Sequence, residues 1–241
     1  MEPQIRIGTS GYSYSWNKAR PNAFEWYISQ GFNSVEINYS FYRFPPVTSI
    51  RFWQLKSPRD FAFSIKVHCS ITHYNRLKQP RSIELWNQFW KIFEPLENKI
   101  EFWLFQMPAN FKFKSENLER VRSFFNNDGI MHQVVTTKKA VIEFRDSSWW
   151  NELALREIER VGIAFCSVDA PGLPHDIIPI NDIIYLRLHG TKTWYNYLYP
   201  QERLKEIVSD MITTGAQKKA IYLNNNHGML TNGLFLMKSF F

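Results

Sequence analysis

Two stretches of this chain alternate so cleanly that they constrain the whole fold. Residues 61–68 read FAFSIKVH, placing Phe61, Phe63, Ile65 and Val67 on one face and Ala62, Ser64, Lys66 and His68 on the other. Residues 184–189 set Ile184, Leu186 and Leu188 against Tyr185, Arg187 and His189 in the same way. Successive strand side chains point to opposite faces, so period two marks each stretch as a strand. In a sheet closed on itself the apolar set faces surrounding helices and the other set faces the barrel axis.

Six further runs rich in β-branched and aromatic residues complete a set of eight strand candidates: 4–8, 34–38, 62–68, 101–106, 140–144, 163–169, 183–189 and 220–224. Longer stretches with apolar residues at helical spacing lie between them, for instance 82–94 and 116–125, and 229–241 reads as the last helix. Eight β-then-α units in series predict an α/β protein of the (β/α)8 type, a parallel eight-stranded sheet closed by eight helices. An open doubly wound sheet is the competing architecture, but no GxGxxG or Walker motif follows the first strand. The proline-bearing stretches, Pro45 with Pro46 and residues 171–179, are short enough to be βα loops, so 1–241 is read as a single domain.

Composition agrees with that reading. Hydrophobic residues make up 44% and charged residues 21%, enough core and too little charge for a disordered chain. No apolar run approaches the roughly eighteen residues of a membrane span, and the opening MEPQIRIGTS has no signal-peptide pattern, so a cytoplasmic protein without a membrane partner is expected. Cys69 and Cys166 lack CxxC or zinc-like spacing and read as free thiols. A net charge of +7 and a pI near 9.3 favour anionic partners, although a basic surface by itself has the same composition.

The inward face carries the chemistry. Strand two sets Val35 and Ile37 against Glu36 and Asn38; strand five sets Val141 against Glu143 and Arg145; Gln106, Asp169 and Asn224 take inward positions on strands four, six and eight. Polar groups therefore gather at the carboxyl ends of the strands, the end at which barrel enzymes place their sites. Glu36, Glu143, Asp169 and His189 are the candidate catalytic groups, facing the cations Lys66, Arg145 and Arg187. Such a set can hold an anion while a carboxylate or imidazole moves a proton; it can equally be an ion-pair network that neutralises itself. His68, His73, His189 and the three carboxylates are all capable metal ligands, yet no tight motif such as HExxH is present, so neither metal nor other cofactor is expected. Glycoside hydrolysis, with Trp16, Trp149, Trp150 and Trp194 as stacking platforms, is weakened by the lack of a carboxylate ending strands four or seven.

The loop 68–82, HCSITHYNRLKQPRS, carries His73, Arg76, Lys78 and Arg81 beside Tyr74 and contains no acid. Basic and aromatic residues together suit a phosphate backbone with stacked bases; a solvated basic loop looks the same.

Seven motifs in order, GTSGYSYSW (8–16), VEINYSFYRFP (35–45), FAFSIKVHCSITH (61–73), LFQMP (104–108), VIEFRDSSWW (141–150), YLRLHG (185–190) and YLNNN (222–226), resemble the YecE-like family, domain of unknown function 72. The resemblance spans residues 5 to about 236. It implies a TIM-like barrel and no established reaction. The family's likeness to endonuclease IV-type barrels implies nucleic-acid binding or nuclease activity, an analogy at the level of fold, and the ligand set of such barrels is not recognisable here. Carried onto this chain, the resemblance adds Thr9, Ser10, Tyr12, Tyr42, Arg43, Thr72, His73 and Asn225 to the inward positions, with Asn225 out of phase with Asn224. The match is loose at Asp169-Ala-Pro and around His227-Gly228-Met229.

Two functions follow as expectations. One is a barrel enzyme, a hydrolase or phosphodiester-acting enzyme, on a phosphate-bearing small molecule. Lys66 and Arg187 would bind the anion there, with Glu36 or Glu143 as base and His189 as proton donor. The other is a non-catalytic nucleic-acid binder using the same mouth and the 68–82 loop. The ligand-binding set for both is Ser10, Tyr12, Asn38, Tyr42, Arg43, Lys66, His73, Gln106, Arg145, Arg187 and Asn225. A Ser10–His189–Asp169 triad is the remaining arrangement the residue types allow.

Overall fold

The computed structural model describes residues 3–241. Its strands are β1 (Gln4–Thr9), β2 (Ser34–Ile37), β3 (Ala62–Lys66), β4 (Ile100–Gln106), β5 (Ala140–Glu143), β6 (Ala164–Asp169), β7 (Ile183–Leu188) and β8 (Lys218–Leu223). All seven ladders are parallel, in the order β1-β8-β7-β6-β5-β4-β3-β2. Each of the eight strand candidates is a strand, within two residues at either end.

The helices are α1 (Ala23–Ser29), α2 (Val47–Lys56), α3 (Arg81–Phe93), α4 (Ser115–Phe125), α5 (Ile130–Thr136), α6 (Glu152–Val161), α7 (Gln201–Thr213) and α8 (Met229–Phe240). They are unevenly shared: β4 is followed by two, whereas β6 returns to β7 without an α-helix. That connection holds Pro171, Gly172, Pro174 and Pro179, which leave no uninterrupted stretch for helix. No helix among the described residues is long and apolar enough to cross a membrane.

α6 shows how sequence sets an element here. The Asn151 side chain accepts from the Ala154 amide at 3.0 Å and caps the start. Gly162, at φ +85, ends the helix in the left-handed region. Between them Ala154, Ile158 and Val161 are buried at helical spacing against the sheet.

β1 and β2 meet without a backbone ladder, and side chains close the gap. The Tyr27 hydroxyl of α1 accepts from the Thr9 amide at 3.0 Å and donates to the Ser34 carbonyl at 2.7 Å. Asn33 accepts from the Ile7 amide at 2.8 Å and donates to the Ile5 carbonyl at 2.9 Å. Gly8 permits the approach: a Cβ there would lie 2.3 Å from the Ser34 carbonyl oxygen.

The outer core is aromatic, with Trp86, Phe89, Phe93 and Trp103 between α3 and the sheet. Inside the barrel a second cluster holds Phe102, Leu104, Val141, Cys166, Val168, Tyr185, Ala220 and Tyr222. It plugs the axis below the polar end.

Two phase assignments on the strands are corrected. Val141 belongs to this interior cluster and shares its face with Glu143, while Ala140, Ile142 and Phe144 pack outward. On β6 the interior residues are Ala164, Cys166, Val168 and Ala170, which turns Asp169 outward.

Candidate functional site

Polar contacts climb the barrel axis above the apolar plug. Ser34 and Tyr222 share a 2.6 Å hydrogen bond, as do Ser64 and Tyr185. The Tyr185 hydroxyl then donates to Glu36 at 2.7 Å. Glu36 also accepts from Ser10 at 2.7 Å and from Arg187 at 2.6 Å. The other arm of Arg187 donates to Glu143 at 2.6 Å. Glu143 is paired in turn with Arg145, whose guanidinium stands 4.7 Å over the Trp194 ring. Glu36, Glu143, Arg187 and His189 are all at 0% exposure, so the two pairs made by Arg187 are sealed from water.

Electrostatics follow from that geometry. Burial alone would raise the Glu143 carboxyl, but Arg145 and Arg187, helped by His189, hold it well below the usual carboxylate range. Burial, together with the same two arginines, pushes His189 well below its ordinary value, so its imidazole is neutral. Its Nε2 lies 3.2 Å from Arg145 and 3.4 Å from Arg187, both donors, which assigns the proton to Nδ1. Arg187 is held well above the guanidinium range: burial opposes its charge, and Glu143 and Glu36 outweigh burial.

Lys66 is different. Its side chain is nearly buried, at 9% exposure, yet among the described residues the ammonium has neither a hydrogen-bond acceptor nor an ion-pair partner. Nζ stands 4.2 Å from the centroid of the Phe41 ring. Burial first, then Arg187, lowers its pKa from 10.5 to about 7 against the opposing pull of Glu143 and Glu36. His73, on a π-helical turn (Ser70–Tyr74), packs edge-on against the same Phe41 at 4.7 Å. Burial and then Lys66 lower its imidazole to about 4.

The structure therefore brings together Ser10, Glu36, Lys66, Glu143, Arg145, Arg187 and His189, with His73 beside them. Asn38 and Gln106 stand half-buried just past β2 and at the end of β4; the Asn38 Oδ1 is buried without a partner among the described residues. Tyr42 and Arg43 are exposed on the turn after β2, Arg43 lying over Tyr39 at 5.6 Å. A cavity of about 450 Å3 beside the mouth is lined by Ser10, Tyr12, Tyr14, Asn38, Tyr42 and Arg43 among others. The Tyr12 hydroxyl is turned away, accepting from Trp53 of α2 at 2.9 Å, and burial raises its pKa.

Two candidates lie elsewhere. Asp169 faces α7 and the β6–β7 loop, 3.4 Å from Arg203 and 3.6 Å from His175. Asn225 donates at 2.8 Å to the Tyr197 carbonyl and to Asn232, binding the loop after β7 to α8. The proposed triad is not assembled: Ser10 bonds Glu36, and no side-chain bond joins Ser10 or Asp169 to His189 among the described residues. Among those residues no three His, Cys, Asp or Glu side chains are grouped to hold a metal ion.

Ser34, Ser64, Tyr185 and Tyr222 complete the axial network, though none is among the candidate site residues. Three of them share strand phase with Lys66, Glu36 or Arg187, so the alternation already contains them. Phe41 and Trp194, which face the two least-buried cations of the site, lie outside the strands where no periodicity marks them.

The chain resembles known proteins along nearly its full length. Residues 6–235 match the family model described as "Protein of unknown function DUF72". UPF0759 protein YunF of Bacillus subtilis is 26% identical over 260 residues, covering 93% of this chain and 89% of the relative. The crystal structure of a DUF72 family protein from Thermotoga maritima superposes with a TM-score of 0.82 at 28% identity, covering 98% of this chain and 99% of the other. One from Enterococcus faecalis gives a TM-score of 0.79 at 20% identity, covering 98% and 94%. With the family model running from within β1 past β8 and the barrel matched over nearly every residue, this chain belongs to the DUF72 family.

Proposed function

We propose that the barrel mouth binds an anionic, phosphate-bearing small molecule and acts on it, with Lys66 and Arg145 as the cations the ligand meets. The observation that carries this is the charge inventory. Two carboxylates, Glu36 and Glu143, are matched by two arginines, and Lys66 is the surplus cation with no acid of its own. A buried ammonium without a counter-ion is costly, and an anionic ligand supplies what is missing. Arg187 works from behind, fixing the carboxylates rather than touching the ligand. Glu143 stays ionised under two guanidiniums and is a poor base near neutrality; Lys66, with a pKa of about 7, is the group suited to move a proton there. The neutral His189 and the unpartnered Asn38 Oδ1 offer hydrogen bonds instead of charge.

The test is calorimetric titration with inorganic pyrophosphate and a panel of sugar phosphates, comparing wild type with Lys66→Met. Binding that weakens at least about tenfold in the variant, a loss of roughly 1.4 kcal/mol, supports the reading. Equal affinities, or no binding by either protein, would overturn it.

A second reading, nucleic-acid binding, draws on the rim. Tyr42 and Tyr74 are 74% and 78% exposed near Arg43 and Arg76, a set that suits stacked bases on a charged backbone. Oligonucleotide affinity would then fall with salt at a log–log slope of about −0.9 per duplex phosphate contacted. A flat salt response rules it out.

A further inference from the structure

Lys66 has a geometry that charge binding alone does not require. It projects from β3 at the mouth, nearly enclosed, with Glu36 on β2, Glu143 at the end of β5 and Arg145 just past it, Arg187 on β7 and His73 on the turn after β3 as its charged or titratable neighbours. None of the carboxylates pairs with it, because Arg187 and Arg145 already occupy them. Its Nζ stands 4.2 Å from the centroid of the Phe41 ring, which cannot accept a proton or a full hydrogen bond. A lysine so placed loses the solvation that keeps ordinary lysines protonated, and adjacent guanidiniums oppose its charge further. Desolvation and a neighbouring cation are the conditions that turn a lysine into an amine nucleophile.

We propose that Lys66 forms an imine with the carbonyl carbon of an anionic aldehyde or ketone bound at the barrel mouth. This rests on the anion-binding reading above and names the substrate class: a carbonyl compound bearing a carboxylate or phosphate. The Lys66 nitrogen lone pair forms the C–N bond while the carbonyl π pair moves to oxygen. The resulting carbinolamine then expels that oxygen as water, which carries away both protons of the original amine, and a C=N bond remains. No electrons are gained or lost. Protonation of the imine from solvent restores one positive charge at the position, in front of Glu36 and Glu143. The protonated imine thus keeps a surplus positive charge at the mouth, and the ligand's own anion balances it.

The experiment incubates the whole protein with glyoxylate, pyruvate or glyceraldehyde 3-phosphate at pH 7 in the presence of cyanoborohydride, which reduces an imine to a stable secondary amine, and maps the modified peptides. At that pH the neutral fraction of Lys66 is about a thousandfold that of a lysine at 10.5, so its labelling should run at least about tenfold faster than at exposed Lys78 or Lys192. Lys66→Arg, which removes the nucleophile, should lose the adduct. Labelling of Lys66 no faster than of the surface lysines, with all three carbonyl compounds, would overturn the proposal. Pyrophosphate binding measured on the same preparation separates the two ideas: binding without Lys66 labelling leaves the anion site standing and removes the imine, whereas absence of both removes each. Should Lys66→Arg fail to fold, wild-type peptide mapping alone decides.

Discussion

Arg187 meets Glu143 at 2.6 Å with neither side chain reaching solvent. The same guanidinium reaches Glu36 at 2.6 Å, so one cation on β7 ties together carboxylates from β2 and β5 across the barrel. Removing one member of a buried ion network leaves its partners charged and unpaired. Arg187→Met should therefore destabilise the fold by about 3–5 kcal/mol in denaturant titration. A loss under about 1 kcal/mol would show that water enters and replaces the guanidinium.

Lys66 should make stability rise with pH. Its pKa is about 7 in the folded protein and near 10.5 unfolded, so between those values the unfolded chain binds a proton that the folded chain refuses. Folding is penalised below pH 7, and the penalty lifts as pH rises through the window. Each unit of that window corresponds to about 1.4 kcal/mol at most. Lys66→Met, lacking the group, should be more stable than wild type at pH 6, and the difference should shrink by pH 9. Parallel curves for the two proteins would contradict the burial of an unpaired ammonium.

His73 follows the same sign at lower pH. With its imidazole at about 4 rather than 6.5, stability should fall as pH drops across that interval, and His73→Gln should flatten the fall. Its ring is only half-buried, which softens the effect through solvent screening. An NMR titration of the His73 ring with a midpoint near 6.5 would contradict its enclosure beside Phe41 and Lys66.

Tyr27 carries the seam between β1 and β2. Tyr27→Phe leaves the Thr9 amide and the Ser34 carbonyl without their shared partner, at a cost of about 1–3 kcal/mol. Hydrogen exchange should quicken at Thr9 before it does at amides bonded within the seven ladders. Unchanged exchange at Thr9 would mean that the strands pair once the hydroxyl is gone.

Much of this was legible in the residues because β2, β3 and β7 are buried by apolar groups on one side and by charge on the other. Their period is visible, and Glu36, Lys66, Arg187 and His189 fall out of it directly. β6 hid its phase: Cys166 and Val168 face the axis while Phe165 packs outward, and a strand apolar on both faces shows no alternation. Asp169 was misplaced for that reason. Val141 misled in another way, since the barrel interior below the mouth is itself apolar and a valine there looks like an outward residue. Asn225 sits past the end of β8, where strand phase no longer holds. What no pattern in the chain could show is partnership. Lys66 and Arg187 look alike as inward cations, and only the three-dimensional arrangement reveals that one is fully engaged while the other is left without an acid.

The seam has a consequence for how such a ring can change over evolutionary time. Seven of its joints are written in backbone and would survive almost any exchange of side chains. The eighth is held by side chains: a phenol from α1, an amide from the turn before β2, and the bond from Ser10 to Glu36 at the mouth. Substituting Tyr27 and Asn33 would loosen that joint while leaving every backbone ladder as it is. The closing of the ring thus rests on exchangeable clasps rather than on the backbone that defines the sheet.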